Sequence, residues 1–273
     1  MAYLGGKATG SQHILKVLNH PVFNDMPYIE PFCGYCHVLR RVINKSSYTA
    51  SDSNELLITL LQHIQTSTEH PSISAQEYKA LAANPSSDPL KAAYAAFTYS
   101  YNGKFFAGYV GDKTRNYPAE RKRYYNRLHE NPVFASSDIK VGPYSMYKPS
   151  NVHAPSIIYC DPPYEDTEGY RNAFNSSEFW NWARQATKAG NYVFISEYKA
   201  PEDFVCIVQK TKRQSVGGRG ATRKREEVLF VHESLLEDER IMEVIQSVGD
   251  KYPCIGTEDS SKSTRRKTLR RKK

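Results

Sequence analysis

At 273 residues, with 40% hydrophobic residues, 20 Tyr and 11 Phe, the chain is long enough for one large domain or for a domain carrying an insertion. No apolar run reaches the ~18 residues of a membrane span, and "MAYLGGKATGSQ" lacks the apolar stretch of a signal peptide; the expectation is an intracellular protein, cytoplasmic or nuclear, with no membrane partner. The net charge of +8 lies wholly in the last twelve residues, "KSTRRKTLRRKK", whose eight Lys or Arg, taken from 37, leave 29 against 29 acids. Such a block cannot bury apolar surface and is expected to be a disordered arm for nucleic acid, a nuclear-import signal or a solubilising end.

In chain order, "SQHILKVLN" has helical spacing and stops at Pro21. "MPYIEPF" reads as a short strand running into a glycine turn, and "YCHVLRRVIN" resumes helical period. "SSYTASDSN" reads as a second strand with an acid at its end, followed by the amphipathic helix "ELLITLLQHIQ". Strand, turn, helix, strand and acid in that order open a doubly wound α/β domain. From residue 62 to 131 the character changes to helices broken by Pro85 and Pro89, then to glycine, aromatic and basic residues. The α/β rhythm returns with "PVFAS", "APSIIYCDPPY", the helix "SSEFWNWARQATKAG" and the strands "NYVFISE", "FVCIVQK" and "EEVLFV". The predicted division is a discontinuous catalytic domain over 1–61 and 132–248, an inserted, mostly helical module over 62–131, and a basic tail over 249–273.

Two short patterns bear on chemistry. Cys33-Gly-Tyr-Cys36-His37 has the letters of a c-type haem attachment site, but five cysteines at irregular spacings without an export signal read as reduced thiols. A lone CxxC also lacks the second ligand pair of a structural zinc site, so no metal is expected. "SIIYCDPPY" is a buried strand that delivers Asp161-Pro162-Pro163-Tyr164 at its C-terminal end, the edge where open α/β sheets bind ligands. The prolines stiffen the backbone. A carboxylate, the Pro162 carbonyl and an aromatic face together suit a planar base with an exocyclic amine: the two oxygens accept the amine hydrogens while Tyr164 stacks on the ring.

These segments, with "YLGGK" at 3–7, "EPFCG" at 30–34, "SDSN" around Asp52, "YSYNGKFFAGY" and "RKREEVLFV", resemble the Dam-type DNA adenine-N6 methyltransferases in alpha-class motif order, over residues 3 to about 232. The resemblance implies a Rossmann-like S-adenosylmethionine-dependent methyltransferase fold with an inserted target-recognition domain. It implies DNA as the partner and S-adenosylmethionine as the cofactor, leaving S-adenosylhomocysteine, with no metal. Tyr3, Lys7, Phe32, Gly34, Asp52 and Asp161 are then cofactor-binding: Lys7 near the methionine carboxylate, Gly34 allowing close backbone approach, and Asp52 near the ribose hydroxyls. Asp161, Pro162 and Tyr164 are catalytic, holding the N6 amine for in-line attack on the methyl group. The base must leave the duplex stack to be reached.

The residues also permit plainer roles. Asp52 could cap the helix that follows it, and Lys7 could be an ordinary surface lysine. The segment "KTKRQSVGGRGATRKR", 210–225, reads as a basic loop between two strands, with seven cations and no acid, suited to phosphate contact. Arg121, Lys122, Arg123, Tyr124 and Tyr125 form a second basic and aromatic group on a predicted helix. Against the family pattern, Cys36 replaces the usual second glycine of the first motif; cysteine is small enough for the turn to survive, but its backbone must avoid strain at any positive-φ position, which bears on cofactor affinity more than on fold. Cytosine-N4 or RNA-adenine methylation and a catalytically silent DNA-binding homologue are the alternative functions. Oligomeric state and a partner restriction nuclease are not written in the residues.

Overall fold

The structure, a computed structural model, describes residues 11–111, 116–152, 155–163, 174–215, 222–249, 252 and 254, with backbone alone for 211–215 and 222–227. Helix α1 (Gln12–Leu18) leads to β1 (Pro27–Glu30), β2 (Ser47–Asp52) and α2 (Glu55–Thr66). Four helices follow: α3 (Ala75–Ala83), α4 (Pro89–Phe97), α5 (Tyr117–His129) and α6 (Pro132–Ser136). The chain then alternates through β3 (Asp138–Val141), β4 (Ile157–Cys160), α7 (Ser176–Lys188) and β5 (Tyr192–Glu197). It ends with the hairpin β6 (Phe204–Ser215) and β7 (Thr222–His232), then α8 (Glu239–Gly249).

The helix starts are written in side-chain oxygens that satisfy the first backbone N–H groups. Asn54 accepts from Leu57, Asp88 from Lys91 ahead of Pro89, and Asn175 from Glu178, while Ser74 and Glu77 cap each other reciprocally. The sheet order is β3-β2-β1-β4-β5-β7-β6. Strands β1 to β5 run parallel, and β7 inserts antiparallel between β5 and β6. This is a doubly wound, Rossmann-like α/β sheet, as the motif order led us to expect, with an antiparallel hairpin at one edge.

Alternate residues of the central strands enter different cores, as a period of two requires. Tyr28, Ala50, Ile157, Tyr159, Tyr192 and Phe194 pack with α1, α2, α4, α5 and α8. Ile29, Ile158, Cys160, Val193 and Ile195 pack with Phe179, Trp180 and Trp182 of α7. The larger core is continuous with Tyr78, Ala92–Phe97, Tyr124 and Tyr125: α4 and α5 pack on α2, and α3 packs on α4. No helix among the described residues is long and apolar enough to cross a membrane.

The structure corrects four expectations. The helix expected over "YCHVLRRVIN" is a series of turns with one short 3-10 segment, Leu39–Arg41. Its start is broken at Cys36, whose φ of 54° is incompatible with a right-handed helix. "PVFAS" is α6, and the strand of that region is β3, overlooked because in this edge strand only Ile139 is buried. The basic loop at 210–225 is mostly paired strand, since β6 and β7 remain in register out to Ser215 and Thr222. Finally, the thiols are not all reduced: Cys206 of β6 is joined to Cys254, with Cα atoms 6.1 Å apart, while Cys33, Cys36 and Cys160 are free and buried. The Gln209 N–H donates to the Tyr252 carbonyl, so the segment after α8 lies against the sheet edge beside that bond.

Candidate active site

Strands β2, β1 and β4 are neighbours and parallel, so their C-terminal ends, Asp52, Glu30 and Cys160, lie along one edge. Each predicted site residue of 30–34, 52 and 161–162 follows or ends one of these strands. Four of them meet there by topology alone: Phe32, Gly34, Asp52 and Asp161. Pro162 is buried and Asp161 half-buried at the end of β4. Tyr3, Lys7 and Tyr164 lie outside the described residues, as do the tail at 262–273 and the tip of the basic segment at 216–221.

The turn after β1 is tied to the end of β2. Asp52 accepts the Gly34 N–H at 3.1 Å on one oxygen and the Asn54 N–H at 2.9 Å on the other. The Cys33 N–H donates to the Ser51 carbonyl, and the Gly142 N–H to the Asp52 carbonyl. Burial raises the Asp52 carboxyl above its ordinary pKa, while the two N–H donors pull it down. Asp52 is therefore not the cap of α2, a place held by Asn54. A carboxylate has about four lone-pair positions, so after two N–H bonds it retains acceptors for a pair of ribose hydroxyls. Gly34 holds φ 47°, where a Cβ would be strained. Acid, glycine turn and open strand edge thus fit an adenosyl cofactor.

Cys36 also lies in the left-handed region, at φ 54°, so the position of the missing glycine is one where a side chain meets strain. The turn needs that conformation, because the Cys36 N–H closes on the Cys33 carbonyl at 2.7 Å. A non-glycine residue there costs roughly 1–2 kcal/mol. Its side chain is fully buried, and hydrogen bonding to Cys36 and burial hold the Cys33 thiol well above its ordinary pKa. Both thiols are thus inert structural groups. Cys36→Gly should leave stability within about 1 kcal/mol of the parent, lost packing offsetting relieved strain. Cys36→Val, β-branched at positive φ, should cost about 2 kcal/mol or more in a urea titration; equal stability of the two variants would remove strain as the explanation.

Residues that the sequence reading passed over complete the edge. The Phe32 ring stacks on Tyr144, with centroids 5.6 Å apart, and meets Phe174 and Phe179 edge-on. Tyr144 follows β3 directly, and a strand missed in sequence hides its neighbours too. Glu30, nearly fully buried, accepts the Tyr28 hydroxyl at 2.6 Å. A lone acid in the apolar run "PYIEPF" was the available signal for it. On the other side, Tyr35 packs edge-on against Phe97, and Phe97 touches Phe105. The Tyr124 hydroxyl donates to the Tyr35 carbonyl at 3.1 Å and lies 3.0 Å from His37 Nδ1. Helices α4 and α5 thereby brace the turn after β1. Of the group at 121–125, Arg121, Tyr124 and Tyr125 face inward, Arg121 donating to the Thr98 carbonyl, so they are supports and not a nucleic-acid surface.

Among known proteins, the family described as D12 class N6 adenine-specific DNA methyltransferase matches residues 3–90. No curated protein matches the chain. Among solved structures, it is similar to a precorrin-6y C5,15-methyltransferase from Geobacter metallireducens, with a TM-score of 0.39 and 5% identity, covering 84% of this chain and 90% of that one. It is also similar to an rRNA methylase from Streptococcus thermophilus, with a TM-score of 0.35 and 7% identity over 82% and 97% of the two chains. The family match spans the glycine turn, Asp52 and the first helices that follow them, about a third of the chain.

Proposed function

We propose that the chain methylates the N6 amine of an adenine flipped out of DNA, at a site formed by Asp161 and Pro162 beside the Phe32–Gly34 turn. The observation that carries this reading is the parallel adjacency of β2, β1 and β4, which sets Asp52, the glycine turn and Asp161 along one edge. S-adenosylmethionine, when bound, supplies a methyl group on a sulfonium, an electrophile that needs no metal. Asp52 orients the ribose, and Gly34 lets the backbone approach. Asp161 and the Pro162 carbonyl accept the two amine hydrogens, which favours a pyramidal nitrogen and directs its lone pair at the methyl carbon. Holding the two reactants in this way supplies ~7–11 kcal/mol of the barrier. Tyr3, Lys7 and Tyr164 take the roles that the family pattern implies, and the insert at 62–131 acts as the target-recognition module. Tyr101 and Phe105, half-exposed on the loop that leaves α4, offer faces on which unstacked bases can rest.

The test is transfer of a labelled methyl group from S-adenosylmethionine to adenine-containing duplex DNA, with the modified nucleoside identified after digestion. N6-methyladenine is the expected product. Label found only in cytosine or only in RNA, or DNA binding without any transfer, would overturn the reading.

A further inference from the structure

The hairpin of β6 and β7 is longer than the sheet that supports it. Strand β5 pairs with β7 only from Ile195↔Phe230 to Glu197↔Val228. Beyond Val228 the two strands continue as a ribbon of six pairs, Lys210↔Glu227 to Ser215↔Thr222. Strand β4 is level with this point, because Cys160 pairs with Ile195 and Asp161 follows it. The ribbon therefore leaves the sheet at the edge that carries Asp161, and at ~3.3 Å per residue it extends for about 20 Å.

Its charges are sorted along its length. The acids, Glu226 and Glu227, stand at the base, Glu227 opposite Lys210. Farther out, Lys212 stands opposite Arg225, Arg213 opposite Lys224, and Arg223 opposite Gln214. Like charges directly opposite one another oppose strand pairing, so two such pairs in succession weaken the ribbon that bears them. A polyanion laid against them removes that repulsion. A two-stranded ribbon is also one of the two protein elements that the major groove admits.

We propose that this ribbon is an arm that grips the phosphates of duplex DNA beside the flipped base; the inference rests on the DNA reading above. Arg225→Glu and Lys224→Glu each set an acid opposite a cation. The variants should therefore melt at the parent temperature or above it and bind S-adenosylmethionine as the parent does. Their affinity for a short duplex oligonucleotide should fall about tenfold or more at 50 mM salt, and the log–log salt slope up to 200 mM should become shallower by about 1 for each phosphate no longer neutralised. Arg225→Gln, a milder change, should give the shallower slope with melting unchanged, and it serves if a Glu variant fails to fold. Affinity and slope equal to the parent's in a protein that methylates DNA normally would overturn the arm and leave the adenine reading standing. A parent that transfers no methyl group, with variants that still lose duplex affinity, would retain the arm and remove the adenine reading. Binding of the parent to anionic lipid vesicles but not to the duplex would overturn the arm.

Discussion

Asp161→Ala is expected to abolish methyl transfer while the protein melts as the parent does. In the proposed mechanism the carboxylate is one of two acceptors for the amine hydrogens, and no other group described at the end of β4 can take its place. Removing one preorganised hydrogen-bonding partner of a reacting centre typically costs ~10²–10³ in kcat. The loss here should reach or exceed the upper value, about 4 kcal/mol, because the lone pair also loses its direction. The fold should not respond, since the buried residues of β4 end at Cys160 and Asp161 is only half-buried. Single-turnover rates with saturating S-adenosylmethionine are the measurement, and Asp161→Asn, which keeps one acceptor oxygen, should lie between parent and Ala. Turnover within tenfold of the parent for Asp161→Ala would remove the residue from the mechanism.

Stability is expected to fall on acidification through His37. Its imidazole is nearly fully buried behind the turn after β1, and burial, reinforced by the charges of Arg40 and Arg41, lowers its pKa from 6.5 to about 4. Because the Tyr124 hydroxyl donates to the Tyr35 carbonyl, His37 Nδ1–H donates to the Tyr124 oxygen, and Nε2 is buried with no partner. The folded state thus holds the neutral ring, while the unfolded chain binds a proton below pH 6.5. The contribution is complete above pH 6.5 and is lost as pH falls towards 4, amounting to about 3 kcal/mol over the whole window. Urea titrations of the parent and of His37→Asn, which retains an N–H donor at the Nδ1 position, separate this from other titrating groups. The difference in stability between the two proteins should shrink or reverse from pH 7 to 4.5; a constant difference would assign the pH dependence elsewhere.

What the residues determined alone was the chemistry and its order along the chain. Local signals sufficed for most helices, whose caps at Asn54, Ser74, Asp88 and Asn175 are written beside their apolar faces. They also sufficed for β2, which ends in Asp52, and for β4, whose buried run Ile157–Cys160 stops at Asp161. Three features depended on partners distant in sequence. The 3-10 segment in place of a helix after Gly34 follows from the left-handed Cys36, a conformation imposed by closure of the turn against β2 and not by the propensity of "YCHVLRRVIN". Strand β3 exists through its pairing with β2, since Ile139 is its only buried residue. The basic ribbon and the Cys206–Cys254 bond arise because β6 finds β7 on one side and the segment after α8 on the other. Local sequence records propensity and burial; which strand lies beside which is decided by non-local pairing, and that pairing brings Asp52, the glycine turn and Asp161 to one edge.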